Sequence, residues 1–269
     1  MPRRLPVPSW LAATVGILVV IAVWWIIAVL VDPGEGRHAI VPTPPAVIAQ
    51  VVSDGFSFYT NAFVVTLREA GFGYLAGNVV ALVLCALVLV LPPLEGVLNQ
   101  IAVISYCLPL VAIGPILKLI LGGATSTGDT SATATFVAGL SVFFTTVVGS
   151  LLGLKASDRA ALDVITVYGG SRLTQLRKVR IVSAIPHVLT ALQIAVPAAF
   201  LGAILGEYFG AIDLSVGTLL LTSQSSGQSE RLWGLFLMCA FVAIIGYGLV
   251  GLVARAVAPW ARGTAGAGA

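Results

Sequence analysis

Apolar residues do not alternate along this chain but run on in long blocks separated by short polar breaks. Six blocks approach or exceed the roughly 20 residues needed to cross a bilayer as a helix: Trp10 to Val31, Ala62 to Leu91, Leu94 to Leu121, Thr133 to Leu154, Pro186 to Phe209 and Leu232 to Ala258. Runs this continuous exclude the period-two pattern of a membrane barrel and predict helices, whose backbone groups are satisfied internally. The fold class expected is an all-α polytopic membrane protein with six transmembrane helices. The first block is too long for a signal-peptide core and reads as a retained span.

Between the blocks the chain predicts little else. Val41-Pro42-Thr43-Pro44-Pro45 favours an extended turn, followed by a short helix from Ala46 to Val52 that ends near Gly55. Leu91-Pro92-Pro93 reads as a tight turn. The stretches Gly122 to Thr135 and Gly210 to Glu230 read as Gly/Ser/Thr-rich loops, and no soluble domain is expected. The organisation expected is an N-terminal tail and first span (1–31), an external segment (32–61), a core of five spans (62–258) containing a polar loop (154–186), and a C-terminal tail (259–269).

Composition agrees with lipid as the solvent. The chain of 269 residues is 58% hydrophobic and 9% charged, with a mean hydropathy of +1.05. Six of its 14 Lys and Arg residues lie in the loop from Leu154 to Pro186: Lys155, Arg159, Arg172, Arg177, Lys178 and Arg180. With Arg3, Arg4, Arg255 and Arg262 they share one side of the membrane, against Arg37 and Arg231, so both termini and this loop are expected in the cytoplasm. The net charge of +3 follows from that asymmetry and implies no nucleic acid. Cys85, Cys107 and Cys239 lack metal spacing and read as small buried hydrophobes.

Catalytic chemistry is missing. No GxxxxGK[ST] or HExxH occurs, and the two histidines, His38 and His187, lie far apart in the chain. Neither a catalytic group, nor a metal site, nor a cofactor is expected in this polypeptide.

The basic loop is patterned. Asp158 is placed to cap a helix bearing Ala161, Val164, Ile165 and Tyr168 at i, i+3, i+4 and i+7, with Gly169 and Gly170 to stop it, and Ser171 to cap a second helix. Two readings of this helix-turn-helix stand: a basic amphipathic segment on anionic lipid headgroups, or an apolar stripe that docks into a partner.

These residues carry a resemblance. Asp163-Val164-Ile165-xxx-Gly169, nine residues, then Val179-Arg180-Ile181 resembles the EAA signature of binding-protein-dependent ABC importer permeases of type I, EAAxxxG, nine residues, IxLP. Asp163 stands for Glu, Val164 and Ile165 for the two Ala, and Val182 for Pro. Val41-Pro42-Thr43-Pro44, Thr66-Leu67-Arg68, Gly128-Asp129-Thr130 and Gly206-Glu207 are similar to motifs of the branch serving nitrate, sulfonates, taurine and pyrimidine precursors. The resemblance implies a transmembrane permease of a prokaryotic inner (plasma) membrane ATP-driven importer, working as a homodimer with cytoplasmic ABC ATPase subunits that bind ATP and Mg, and with an external substrate-binding protein or lipoprotein. It implies a coupling helix in which Asp163 pairs with a basic ATPase residue, Val164, Ile165 and Tyr168 fill its groove, and Gly169 and Gly170 permit the turn.

Polar residues within the spans are further candidates. Asn78, Gln193 and Glu207 are the ones set apart for the translocation path, Glu207 having as its second reading a hydrogen bond at the dimer interface. Arg68 and Glu69 read as an interfacial anchor or mutual ion pair. Gly73-xxx-Gly77 and Gly202-xxx-Gly206-xxx-Gly210 invite close helix approach, within the chain or between copies. The rival classes are an ion-gradient-driven secondary transporter, which needs embedded carboxylates in paired repeats, and a membrane scaffold without transport.

Overall fold

The computed structural model describes residues 9–31, 40–210 and 214–260. Arg3, Arg4, Arg37, His38 and Arg262 lie outside them. The described residues are helical, in the order α1 (Ser9–Leu30), α2 (Pro44–Asp54), α3 (Phe56–Val90), α4 (Leu94–Cys107), α5 (Leu110–Leu121), α6 (Ala132–Lys155), α7 (Arg159–Val167), α8 (Arg172–Gln175), α9 (Ile181–Gly210), α10 (Val216–Ser225) and α11 (Ser229–Val257). Among them, five continuous helices are long and apolar enough to cross a membrane, and six if the bent pair α4 and α5 counts as one.

That bend corrects the expected third span. Leu94 to Leu121 is not one helix but two, turned by 96° at Leu108-Pro109. Pro109 lacks an amide to continue the ladder and forces Leu108 into extended backbone (φ −68°, ψ 124°). Cys107 ends α4 and is exposed, and Cys239 is only partly buried, so of the three cysteines only Cys85 is the buried hydrophobe expected.

The fifth span also differs. It does not begin at Pro186: α8 runs through one π-helical turn, Leu176–Arg180, into α9, which passes through Pro186 and Pro197 without stopping. Neighbouring helices and hydroxyl groups tolerate such prolines in lipid; Thr190 Oγ1 donates to the Pro186 carbonyl at 2.9 Å. The expected loop from Gly210 to Glu230 contains α10, whose first residue, Val216, is buried.

Two compact units are present. The described parts of Met1–Thr60 and Leu220–Cys239 form one. There Trp24 stacks on Trp233 with ring centroids 5.4 Å apart, and the two indoles donate to the carbonyls of Pro42 (3.1 Å) and Ile40 (3.3 Å). The rest of α1 is almost entirely exposed apolar surface, as a helix solvated by lipid requires.

The second unit, the described parts of Asn61–Leu219 and Ala240–Ala269, is built around α6. Gly73 and Gly77 of α3 lie against Ala138 and Gly139, while Gly202, Gly206 and Gly210 of α9 lie against Ala138, Ala134 and Ser131. Both small-residue stripes are thus spent on α6 inside the chain, where they bring backbones close enough for extensive van der Waals contact. Ala81, Cys85, Val88, Leu98, Ala102, Val147 and Leu151 close the end of this bundle nearest the basic loop.

Candidate functional site

The basic loop folds as local signals dictate. Asp158 Oδ1 accepts the Ala160 amide at 3.1 Å and starts α7. Gly169 takes φ +73°, a left-handed conformation costly to residues with a Cβ, and the Gly170 amide donates to the Ile165 carbonyl at 2.8 Å. A Cβ on Gly170 would strike Ile165, including its carbonyl oxygen at 2.9 Å. Ser171 Oγ then accepts the Thr174 amide at 3.3 Å and opens α8.

A clamp that the sequence did not suggest holds the two helices together. Gln175 Nε2 donates to Thr166 Oγ1 at 2.7 Å and to the Leu162 carbonyl at 3.3 Å. Glutamine in a basic loop gives no signal of its own; only the fold brings it to α7.

None of α7 is buried. Val164 is 55%, Val167 83% and Tyr168 87% exposed, and Asp163 is exposed beside them. Ile165 is half-buried against Gly170, so the exposed apolar face is Val164, Val167 and Tyr168. Val167 was not singled out from the sequence, although its i+3 spacing from Val164 marks it. Arg159, Arg177, Lys178 and Arg180 of the same loop are exposed as well. At the root of the loop Lys155 is ion-paired with Glu95 of α4.

The three path candidates part company. Asn78 is buried, accepting from Thr146 Oγ1 at 2.5 Å and donating to the Tyr74 carbonyl at 2.8 Å, which ties α3 to α6. Glu207 is fully buried and accepts the Gly217 amide at 2.6 Å. Gln193 alone borders open space: with Thr145, His187, Thr190, Tyr247 and Arg255 it lines a cleft of about 840 Å³ between α6, α9 and α11. Its amide donates to the Tyr247 carbonyl at 3.3 Å. The Arg68–Glu69 ion pair does not form: Arg68 is exposed, while Glu69 turns inward and accepts the Ser131 amide at 2.5 Å. Adjacent helical positions point about 100° apart, so the two side chains do not meet.

A lipid-exposed helical bundle carrying an apolar helix on a basic loop fits a transport subunit driven from outside itself. The profile of the family described as binding-protein-dependent transport system inner membrane component matches residues 73–263. The chain belongs to this family. It is a permease subunit of a binding-protein-dependent ABC importer, a multi-pass membrane protein without catalytic function of its own, and its family implies ATPase and binding-protein partners.

The permease is similar to a probable ABC transporter permease protein of Haemophilus influenzae, 29% identical over 87% of this chain and 90% of the relative. It is also similar to the formylaminopyrimidine transport permease protein ThiX of Halalkalibacterium halodurans, 24% identical over 94% and 96%. A third relative is the putative aliphatic sulfonates transport permease protein SsuC of Bacillus subtilis, 22% identical over 94% and 88%.

Proposed function

We propose that the permease works as a homodimer in a prokaryotic inner membrane, with both termini and the basic loop in the cytoplasm, and that α7 is the coupling helix. Val164, Val167 and Tyr168 enter a groove on the ATPase, and Ile165 supports them from behind by packing on Gly170. Asp163 pairs with a basic residue at the rim of that groove. The observation that carries this reading is the outward-facing apolar side of α7, capped at both ends and clamped by Gln175 yet left exposed by the described residues.

Coupling works by rigid connection. α8 runs without a break through the π-turn into α9, so a push on α7 is delivered along a span of the core. Closure of an ATP-bound ATPase dimer draws two such loops together and opens the path outward; ATP hydrolysis in the partner resets it. The permease contributes the path and the lever.

The solute we propose is small and polar, of the sulfonate, taurine, nitrate or pyrimidine-precursor class. The cleft favours the pyrimidine-like end of this range. Gln193, Thr190 and Thr145 offer neutral hydrogen bonds, Phe144 and Tyr247 contribute aromatic rings, His187 adds an imidazole, and its described cationic lining is Arg255. Such a wall suits a flat solute carrying at most one strong negative charge.

The test is uptake into proteoliposomes holding permease and ATPase, driven by loaded binding protein. Labelled formylaminopyrimidine is expected to enter and an aliphatic sulfonate to enter slowly, with Tyr168→Asp abolishing both. Transport unchanged in Tyr168→Asp refutes the coupling assignment; preferential sulfonate uptake refutes the solute assignment alone.

A further inference from the structure

At the end of the α6 bundle away from the basic loop, two acidic side chains from different helices meet in the interior. Glu69 of α3 and Glu207 of α9 are both 0% exposed. One oxygen of each is held by a backbone amide, Glu69 Oε1 by Ser131 at 2.5 Å and Glu207 Oε2 by Gly217 at 2.6 Å. The remaining oxygens, Glu69 Oε2 and Glu207 Oε1, have no partner. Shared neighbours bring the two carboxyls together: Ser131, which holds Glu69, lies against Gly210 of α9, and the Val216 amide beside Gly217 donates to Thr66 of α3, so that each carboxyl acts on the other.

Among the described residues the surroundings supply dipoles but no cation. Thr66 from α3, Ser131 at the start of α6, and Ser215 with the Gly217 amide at the start of α10 face the pair. Thr66 Oγ1 also accepts the Val216 amide at 3.1 Å. Arg68 and Lys118 are exposed, and among the described residues neither carboxyl forms an ion pair. Two carboxylates with no counter-ion repel strongly in so poorly solvated a place, whereas a carboxylic acid donating to a carboxylate makes one short, charge-assisted hydrogen bond. One proton satisfies both unpartnered oxygens.

We propose that Glu69 and Glu207 hold a single shared proton, and that this proton staples α3, α9 and the starts of α6 and α10 into one rigid end of the permease. Each carboxyl already grips a different segment through its amide bond, so the shared proton joins four segments at one point. When it leaves to water, two like charges face each other and the staple opens. The end of the bundle that must stay rigid to pass on the motion of α9 therefore loosens at alkaline pH.

Replacing one Glu by Gln gives a neutral amide that donates to the remaining carboxylate without titrating. Thermal unfolding is measured in nanodiscs across neutral to alkaline pH for wild type, Glu69→Gln, Glu207→Gln and Glu207→Ala, and the infrared carbonyl band of a protonated carboxyl is recorded on wild type and the Gln variants. The wild type is expected to show that band at neutral pH and to lose at least about 3 °C of melting temperature on the alkaline side. Both Gln variants are expected to lack the band and that alkaline step, and Glu207→Ala to melt lower throughout. Three results overturn the proposal: no protonated band in wild type, the same pH profile in wild type and both Gln variants, or alkaline stability restored by sodium but not by choline, which replaces the proton with a metal ion. The measurement needs no partner subunit, so its failure is distinct from failure of the coupling assignment.

Discussion

Arg231 grips Asp54 with two parallel hydrogen bonds, Nε to Oδ2 at 2.8 Å and Nη2 to Oδ1 at 2.5 Å, across 177 residues of chain. Tyr59 and Gln50 donate to the same carboxylate at 2.7 and 2.8 Å, and the guanidinium lies 5.1 Å above the Phe58 ring. The pair fastens the start of α11 to the end of α2, with the Asp54 side chain 5% and the Arg231 side chain 24% exposed. Breaking a buried pair on one side costs more than the pair itself contributes, because the other charge is left alone. Arg231→Ala is expected to destabilise this unit by about 2 kcal/mol, short of a fully buried case because Arg231 is partly wet.

Acid acts on the same contact. The bond from Arg231, with those from Tyr59 and Gln50, holds the Asp54 carboxyl below its ordinary value of 3.8 against the opposing effect of burial. A carboxyl lowered by folding contributes stability that is complete above its unfolded value and is lost as pH falls through the folded one. Stability is therefore expected to decline in wild type below pH 3.8 with a component missing in Asp54→Asn. Unfolding midpoints of the two proteins along an acid titration check this.

The α6–α9 contact leaves no room for larger residues. A Cβ on Gly206 already meets the Ala134 backbone, which unlike a flexible side chain cannot step aside. Gly206→Val is expected to cost about 3 kcal/mol, the upper end for overpacking, and to lower the yield of folded protein. Gly16→Val, in the exposed α1 with open space around it, is the matched control and is expected to be neutral.

Asn78 and Gln193 separate stability from transport. Asn78→Leu breaks the buried bond to Thr146 and is expected to lower the melting temperature by about 3–6 °C, the equivalent of roughly 1.5 kcal/mol. Gln193→Leu alters a cleft wall and is expected to leave melting within about 1 °C while reducing uptake several-fold. Melting curves and proteoliposome uptake on the same preparations tell the two apart.

What was legible in the sequence follows distance along the chain. The ends of α7 and the start of α8 are readable because Asp158 and Ser171 accept amides within three residues and Gly169 supplies the left-handed turn between them. The GxxxG stripes announced close packing but not its partner, since nothing in Gly202 or Gly206 names Ala138 or Ala134. The break at Leu108-Pro109 hid inside an apolar run because hydropathy is blind to a missing amide. α10 reads as a loop because its Ser and Thr residues resemble a polar linker, whereas Ser223 and its flanking Ser215 are buried. Glu69 is hidden in the same way: its nearest charge in sequence is Arg68, while the Ser131 amide that it accepts arrives through the fold.

Entry of the exposed α7 face into the ATPase is measured by crosslinking. Single cysteines at Val164, Val167 and Tyr168, in a background without Cys85, Cys107 and Cys239, are treated with a short bifunctional reagent in membranes holding the whole transporter. Ile120→Cys, equally accessible on α5, is the control. The expected result is an adduct with the ATPase from all three α7 positions, altered by ATP, and none from position 120. An absence of adducts from every α7 position in assembled, transport-competent complexes rules out docking of α7 in the ATPase groove.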